Sequence, residues 1–206
     1  MLWHYSRVKL FSLIFLAFWG IVFIGITEVA KKEKKQPHYK QKVAATLLAQ
    51  KAFDVIKEYR ILNAIPIDPL ADPNQTGLIG ERFTELTTDK GDLKAKLTST
   101  NPAFAAVFID MFHKLKLRPN DTVAVAFTGS MPGLNISLLA AIKTMGLHPV
   151  IIPSIGASMW GANMKNFTWI DIENELREKG IFGYKSIGAS LGGRRDLGAN
   201  LSPEAR

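Results

Sequence analysis

A short loop rich in glycine and serine is the part of the sequence whose residue types point most directly to chemistry. The segment AFTGSMPGLN, residues 126–135, leaves an apolar run, passes through two glycines and a serine, and enters an amphipathic stretch. At the start of a helix such a loop exposes unpaired backbone N–H groups, and the helix dipole stabilises an anion there. The loop is therefore predicted either to hold an acidic group or to serve only as a strand-to-helix turn.

Two further loops share this composition. PSIGASMWGAN at 153–163 follows the next apolar run, and GASLGGRRD at 188–196 ends a third. Because the carboxyl ends of parallel strands lie on one edge of a sheet, the three loops are predicted to line one cleft. The residues predicted to bind an anion or another ligand there are Gly129, Ser130, Gly133, Asn135, Ser154, Ser158 and Asn163.

Neither central serine stands in a known hydrolase motif. A nucleophile elbow requires Gly-x-Ser-x-Gly. Thr128 and Pro132 occupy both glycine positions around Ser130, and Trp160 occupies the second one around Ser158. Two of the four histidines belong to the N-terminal segment, one lies in a helical pattern and one opens a strand, which disfavours a Ser–His triad. No catalytic residue is assigned from the sequence.

Metal and nucleotide sites are not predicted either. The chain has no cysteine, so disulfides, thiolate metal sites and a cysteine nucleophile are excluded. It contains no Walker loop and no His-x-x-x-His pair, and neither a metal nor a cofactor is expected. The acidic residues of the irregular stretch 77–100 are interpreted as a solvated face, and the stretch itself as functional or clamped by the fold.

The elements that must position the loops follow from periodicity. One helical face is predicted from Leu48 to Leu62, at steps of three and four residues. A second helix is predicted to start at TSTNP, with Thr100 or Asn101 as its cap and Pro102 in its first position. Its predicted buried face consists of Phe104, Phe108, Met111 and Leu115.

Strands and helices then alternate. TVAVAF at 122–127 and HPVIIPS at 148–154 are predicted as strands buried on both faces, with a helix between them that ends at Gly146. Thr168 and Asp171 form a capping pattern for the next helix, and YKSIGAS after it is a predicted third strand. This order predicts an α/β domain of the doubly wound type, a mainly parallel βαβ arrangement.

An uncharged segment near the N-terminus is long enough to cross a bilayer. Leu10 to Thr27 is 18 residues without charge, about 27 Å as a helix. A cleaved signal peptide is disfavoured because Glu28 stands where the cleavage site requires a small residue. The predicted organisation is a tail (1–9), a single transmembrane anchor (10–30), a basic stalk (31–42) and the α/β domain (43–206).

Charge distribution bears on partners and on location. The net charge is +8, but residues 1–42 hold eight of the Lys and Arg residues against two of the Asp and Glu residues. The basic charge therefore flanks the apolar segment, which favours a membrane surface over nucleic acid as partner. The expected location is a membrane; the positive-inside rule favours a cytoplasmic domain, while the side of the membrane stays open.

Four strings together resemble the poly-γ-glutamate system protein family. They are TGLIG at 76–80, GDLKAKLTSTNPAFAA at 91–106, ASMWGAN at 157–163 and ASLGGRRDLGANLSPEAR at 189–206. The resemblance covers most of the chain from about residue 40. It implies a component anchored by a single span in a bacterial cell (inner) membrane that accompanies the ligase and export proteins of poly-γ-glutamate synthesis, and it supplies no catalytic residues.

The sequence departs from that family in two places. Arg194 and Arg195 stand where a glycine-rich GGGxDxG run is expected. The family also continues beyond an LSPEGR-like string, whereas this chain ends at Arg206, so a domain truncated at its C-terminus is expected.

Three functions are compatible with these observations. The first is an accessory capsule protein that binds an acidic small molecule, the polymer or partner subunits. The second is a membrane-tethered enzyme that acts on γ-glutamyl or phosphorylated substrates through the loops at 129–133 and 154–163. The third is a purely structural membrane subunit.

Overall fold

The computed structural model describes residues 9–32 and 34–203 and divides the chain into two compact units, Met1–Pro37 and His38–Arg206. The first unit contains helix α1 (Leu10–Ala30), which is long and apolar enough to cross a membrane. None of its residues is buried, and nearly all of its apolar side chains are exposed. The expectation of an N-terminal segment of spanning length is therefore confirmed.

The second unit combines helices with a few short strands, so mixed α/β content is confirmed. Its elements in chain order are α2 (Tyr39–Leu62), α3 (Leu93–Ser99), α4 (Phe104–Lys114), β1 (Thr122–Thr128), α5 (Pro132–Met145), β2 (His148–Ser154), β3 (Asn163–Met164), β4 (Phe167–Thr168), α6 (Trp169–Glu178) and a 3₁₀ turn (Arg194–Asp196).

Helix α5 lies at the centre of the core. It packs against α2, α4 and β1, and most of its side chains are buried. It begins at Pro132, because proline suits the first position of a helix. It ends before Gly146, whose φ of 68° is the left-handed conformation that terminates a helix. The predicted end of this helix is confirmed. The start of α5 therefore lies directly after the loop that ends β1.

Strands β1 and β2 run parallel, and the described residues show one covered face of their sheet. Val125 and Ile151 are buried in the core that the helices share, whereas Val150 and Ile152 are 39% and 49% exposed. The prediction that both strands are buried on both faces is wrong. Each run does alternate between inside and outside, but the solvent side carries alanine and β-branched residues, which hides the alternation in the sequence.

The predicted third strand is only partly formed. Within YKSIGAS, the Ile187 N–H donates to Ile151 O at 3.0 Å and the Ser190 N–H to Pro153 O at 2.9 Å. A single parallel bridge joins Ser154 and Ser190. The segment thus follows β2, but among the described residues the parallel sheet has two strands. A doubly wound domain needs more strands and helices on both faces, and it stays a prediction.

The buried face of α2 is displaced by one residue from the predicted one. Leu62, placed on the buried face by periodicity, is 70% exposed. Helix α2 packs mainly on α5, and small side chains let the two helices approach closely. The buried apolar residues of α2 are Ala45, Ala49, Ala52, Phe53 and Ile56.

Helix α4 shows the same displacement. Met111 and Leu115 were predicted to be buried and are instead exposed. Ala105, Ile109 and Phe112 face the core at steps of four and three residues. The apolar residues of α4 cover more than one face, so tertiary contacts with α2 and α5 select the face that is buried.

The predicted stalk is too long at its C-terminal end. Helix α2 begins at Tyr39, so residues 39–42 form its first turn. Lys42 is buried and forms an ion pair with Asp110 of α4, with 2.8 Å between Nζ and the carboxylate. This pair holds the first turn of α2 on the domain, because an acidic partner offsets much of the free-energy cost of burying an ammonium.

The irregular segment between α2 and α3 is held by a buried cation. The Arg60 guanidinium donates to Gly77 O at 3.1 Å, to Ile79 O at 2.6 Å and to Pro66 O. It also lies over the ring of Phe167, 4.4 Å from the ring centroid. Arg60 therefore clamps the start of the stretch 77–100, one of the two alternatives predicted for it. The prediction that this whole stretch is irregular is wrong, because residues 93–99 form α3.

Candidate functional site

The loops that follow β1 and β2 are in direct contact. Ser130 Oγ accepts a hydrogen bond from the Ser158 N–H at 2.9 Å, and Gly129 O accepts one from the Ala162 N–H at 2.7 Å. A Cβ atom at Gly161 would lie only 2.8 Å from the Gly129 carbonyl oxygen. The approach of the two loops therefore requires glycine at position 161.

The third loop contacts the second one. The Ile155 N–H donates to Ser190 O at 2.9 Å, and the Gly156 N–H donates to Leu191 O at 3.1 Å. The loop at 153–163 thus touches both other loops. The three small-residue loops lie side by side at one edge of the sheet, as parallel strands require.

A buried lysine from α3 lies between the first two loops. The Asp92 carboxylate accepts from the Ala95 N–H at 2.8 Å and so caps the first turn of α3. Lys96 follows one residue later and is only 2% exposed. Its Nζ donates to Ser158 Oγ at 2.7 Å and to the backbone carbonyl of Ser130.

The Lys96 ammonium has no acidic partner in the described part of the chain, where ion pairs form at Lys31, Lys42 and Lys179. Removal from water disfavours the charged form, and burial lowers the pKa of Lys96 to about 8. The site therefore holds a buried cation surrounded by neutral oxygens. Such a group can neutralise an acidic ligand, or as the free amine it can accept a proton.

Backbone packing keeps Lys96 in place. A Cβ atom at Gly91 would lie 2.5 Å from Met159 O and 3.3 Å from Lys96 Cε. Any larger residue at this position would push the lysine stem and the second loop apart. Gly91 is therefore part of the site, although it has no side chain.

Helix α5 starts just after Ser130, beside Lys96. Met131 is its N-cap residue, and no side chain caps the helix. Ser130 Oγ is instead occupied by the Ser158 N–H and by the Thr128 hydroxyl, which donates to it at 3.0 Å. The positive end of the α5 dipole thus adds to the charge of Lys96 beside Ser130.

Several of the predicted ligand-binding residues have packing roles. A Cβ atom at Gly133 would clash with Ser99 O, so glycine lets α5 approach α3. At Gly129 a Cβ atom would lie 3.0 Å from the Ala157 Cβ atom. The buried Asn135 side chain donates from Nδ2 to Thr128 O at 2.9 Å and so holds the end of β1.

Asn163 is a structural clamp as well. It is completely buried: its Oδ1 accepts from the Glu81 N–H at 3.1 Å, and its Nδ2 donates to Glu81 O and Thr87 Oγ1, both at 2.9 Å. The half-buried Ser154 hydroxyl donates to Gly156 O at 3.2 Å. Of the seven predicted residues, the geometry thus joins two, Ser130 and Ser158, to a charged group.

Lys96 was not predicted from the sequence. It stands in LKAKLTS beside Lys94, which is exposed, and nothing local distinguishes the two lysines. In the sequence, only the helical spacing of residues 96, 99 and 100 could have indicated that Lys96 lies on a buried face. All three residues are buried. The contact with Ser158 spans 62 positions of sequence and arises from the tertiary fold.

Comparisons with protein-family models, with curated proteins and with solved structures give no match to this chain.

Proposed function

We propose that this protein is a membrane-anchored accessory component of poly-γ-glutamate synthesis or export that binds a carboxylate of the polymer or its precursor at the Ser130 and Ser158 hydroxyls, beside the buried Lys96 ammonium. The observation that carries the proposal is the Lys96 ammonium, 2% exposed and without an acidic partner in residues 9–32 and 34–203. A ligand carboxylate would compensate this charge. Hydrogen bonds between ionised groups are about twice as strong as neutral ones.

The surroundings of Lys96 support an acidic ligand. The hydroxyls of Ser130 and Ser158 are half-buried and can turn their protons towards a carboxylate. The start of α5, which no side chain caps, also favours a negatively charged ligand. Poly-γ-glutamate carries one carboxylate per residue, so successive monomers can bind at the site one after another as the polymer is transferred.

The proposal includes the location and partners of the protein. Helix α1 is proposed to be a single-pass anchor in a bacterial inner membrane, with the domain on the cytoplasmic side because lysines follow the helix. The ligase and export subunits of the system are the proposed partners. The doubly wound arrangement belongs to the same proposal and is supported by the parallel pairing of β1 with β2.

Binding of a γ-linked glutamate oligomer to the full chain in detergent micelles tests the proposal. Isothermal titration calorimetry should show binding that Lys96→Met weakens about tenfold to a hundredfold, the range for a hydrogen bond to a charged group. Affinity should also fall as pH rises through about 8, because Lys96 then loses its charge. Lys94→Met changes an exposed lysine two positions away and should leave binding unchanged.

An α-linked glutamate oligomer and a neutral glutamine oligomer serve as ligand controls. Equal affinity of the wild type and Lys96→Met for the γ-linked oligomer would contradict the proposal. Binding of the neutral oligomer with the same affinity would contradict it too, because the site is argued from charge. Co-purification with synthesis subunits that survives Lys96→Met while oligomer binding is absent would instead favour a structural subunit.

A further inference from the structure

The pair formed by Ser158 and Lys96 has the geometry of a nucleophile with its base. Ser158 Oγ lies 2.7 Å from Lys96 Nζ, inside the range in which a proton passes directly between two atoms. Ser158 is half-buried, whereas Lys96 is 2% exposed. The hydroxyl is thus the member of the pair that a substrate can reach, and the lysine lies behind it.

We propose that Ser158 and Lys96 catalyse acyl transfer from an amide or ester to water, with Ser158 as the nucleophile and Lys96 as the general base. The choice of a γ-glutamyl amide as substrate rests on the function proposed above. The pairing of the two side chains does not, since it follows from their contact alone.

Ser130 is not the nucleophile in this arrangement. Its hydroxyl oxygen accepts from the Ser158 N–H at 2.9 Å and from the Thr128 hydroxyl at 3.0 Å, and its carbonyl accepts from Lys96. These three bonds hold the backbone of Ser158 and the lysine amine in position. Ser130 is therefore a positioning residue.

Lys96 has the surroundings that a lysine base requires. A carboxylate beside it would keep it protonated, and the described residues place none within ion-pair distance. Burial moves its pKa to about 8, so about one molecule in ten holds the free amine at pH 7. In that form the Ser158 hydroxyl donates its hydrogen bond to the lysine lone pair.

The reaction is balanced by these two groups and one water. Ser158 Oγ forms a bond to the acyl carbon as its proton moves to Lys96 Nζ, and the resulting ammonium stabilises the adjacent oxyanion. The bond from carbon to the leaving nitrogen then breaks, and Lys96 returns the proton to that nitrogen. Water attacks the acyl ester through Lys96, which then gives the proton to Ser158 Oγ as the acid leaves.

Covalent labelling of the full chain in detergent micelles by a fluorophosphonate tests the pair. Peptide mapping should place the label on Ser158, and Ser158→Ala should lose it. Lys96→Met and Lys96→Arg should each slow labelling at least about a hundredfold, because a general base contributes that much or more. Lys94→Met is the matched control and should label at the wild-type rate.

Two readouts separate a base from a structural lysine. The labelling rate of the wild type should rise with pH through about 8 and then level off, and Lys96→Arg should remove that profile while keeping a buried cation. Thermal unfolding of each variant establishes that the chain is folded. A label on another residue, or labelling of Ser158 at an unchanged rate in both Lys96 variants, overturns the inference.

Oligomer binding measured on the same preparations separates this inference from the proposed function. Labelling of Ser158 without γ-glutamate binding supports the nucleophile and overturns only the proposed ligand. Binding without labelling of Ser158 overturns the nucleophile and leaves the ligand proposal standing.

Discussion

The domain buries two cations in opposite ways. Arg60 is 1% exposed and Lys96 is 2% exposed. Arg60 donates to three backbone carbonyls and lies over an aromatic ring, and the nearby Asp72 and Glu81 carboxylates act on its charge. Lys96 has two neutral oxygen partners, and within residues 9–32 and 34–203 no carboxylate lies within ion-pair distance of it.

The electrostatic consequences differ accordingly. Burial lowers the pKa of Arg60 to about 10 although both carboxylates oppose the shift, so Arg60 stays charged at every physiological pH. Burial lowers the pKa of Lys96 to about 8, where both protonation states are populated. A guanidinium surrounded by carbonyls is a structural clamp. A lysine between two serines keeps the capacity to bind an anion or to move a proton.

The largest loss of unfolding free energy is expected when Arg60, the structural clamp, is replaced. Arg60→Met leaves the carbonyls of Gly77, Ile79 and Pro66 without their donor, and about 3 kcal/mol of unfolding free energy should be lost. Urea unfolding followed by far-ultraviolet circular dichroism measures this. The exposed Arg82 provides the matched control, and Arg82→Met should change stability by less than about 0.5 kcal/mol. A midpoint for Arg60→Met equal to that of the control would mean that Arg60 is not a clamp.

Removal of the second cation should have a smaller effect that depends on pH. The pKa of Lys96 is about 8 in the folded state and near its ordinary value in the unfolded chain, so between these values the unfolded chain binds more protons. Wild-type stability should therefore rise with pH from about 8 to about 10.5. Lys96→Met should flatten this rise and should be at least as stable as the wild type at pH 7.

Urea midpoints at a series of pH values from 7 to 10.5 provide the measurement, with Lys94→Met as the control that keeps the wild-type slope. A wild-type midpoint that stays constant or falls over this range would show that Lys96 is not an unpaired buried cation. The comparison with Arg60 would then lose its basis.

The smallest effect concerns the acid near the clamp. Asp72 is completely buried; its Oδ2 accepts from the Gly77 N–H at 2.8 Å and from Thr76 Oγ1 at 3.0 Å. Asp72→Asn keeps the shape but removes the charge that opposes the desolvation of Arg60, and about 1 kcal/mol of stability should be lost. Asp68→Asn changes an exposed acid four positions earlier and is the control in the same unfolding assay. A more stable Asp72→Asn would show that the charge is not needed.

Local features of the fold were predicted well. The capping box of Thr168 and Asp171, the end of α5 at Gly146 and the apolar helix near the N-terminus are all confirmed. Each depends on residues a few positions apart, so the sequence contains the whole signal. Helical faces were displaced by one residue in α2 and α4, because partner helices select which apolar residues are buried.

In the candidate site, too, some features follow from local sequence and others from tertiary packing. Composition alone pointed to the loops of Ser130 and Ser158, since glycine and serine after an apolar run mark a strand end. Gly129, Gly133, Asn135 and Asn163 were predicted as ligand residues, but the structure uses them for close packing and for hydrogen bonds within the protein.

By itself the sequence determined a helix long and apolar enough to cross a membrane, the succession of β1, α5, β2 and α6, and the small-residue loops, because periodicity, caps and charge runs are local properties. It did not indicate α3, which carries Lys96. Only the tertiary structure decided which lysine is buried and which serine it meets. Lys96 and Ser158 are 62 positions apart, and burial depends on what the fold packs around a side chain. An exposed lysine and a buried one are written with the same letter, and desolvation alone makes the second one chemically distinct.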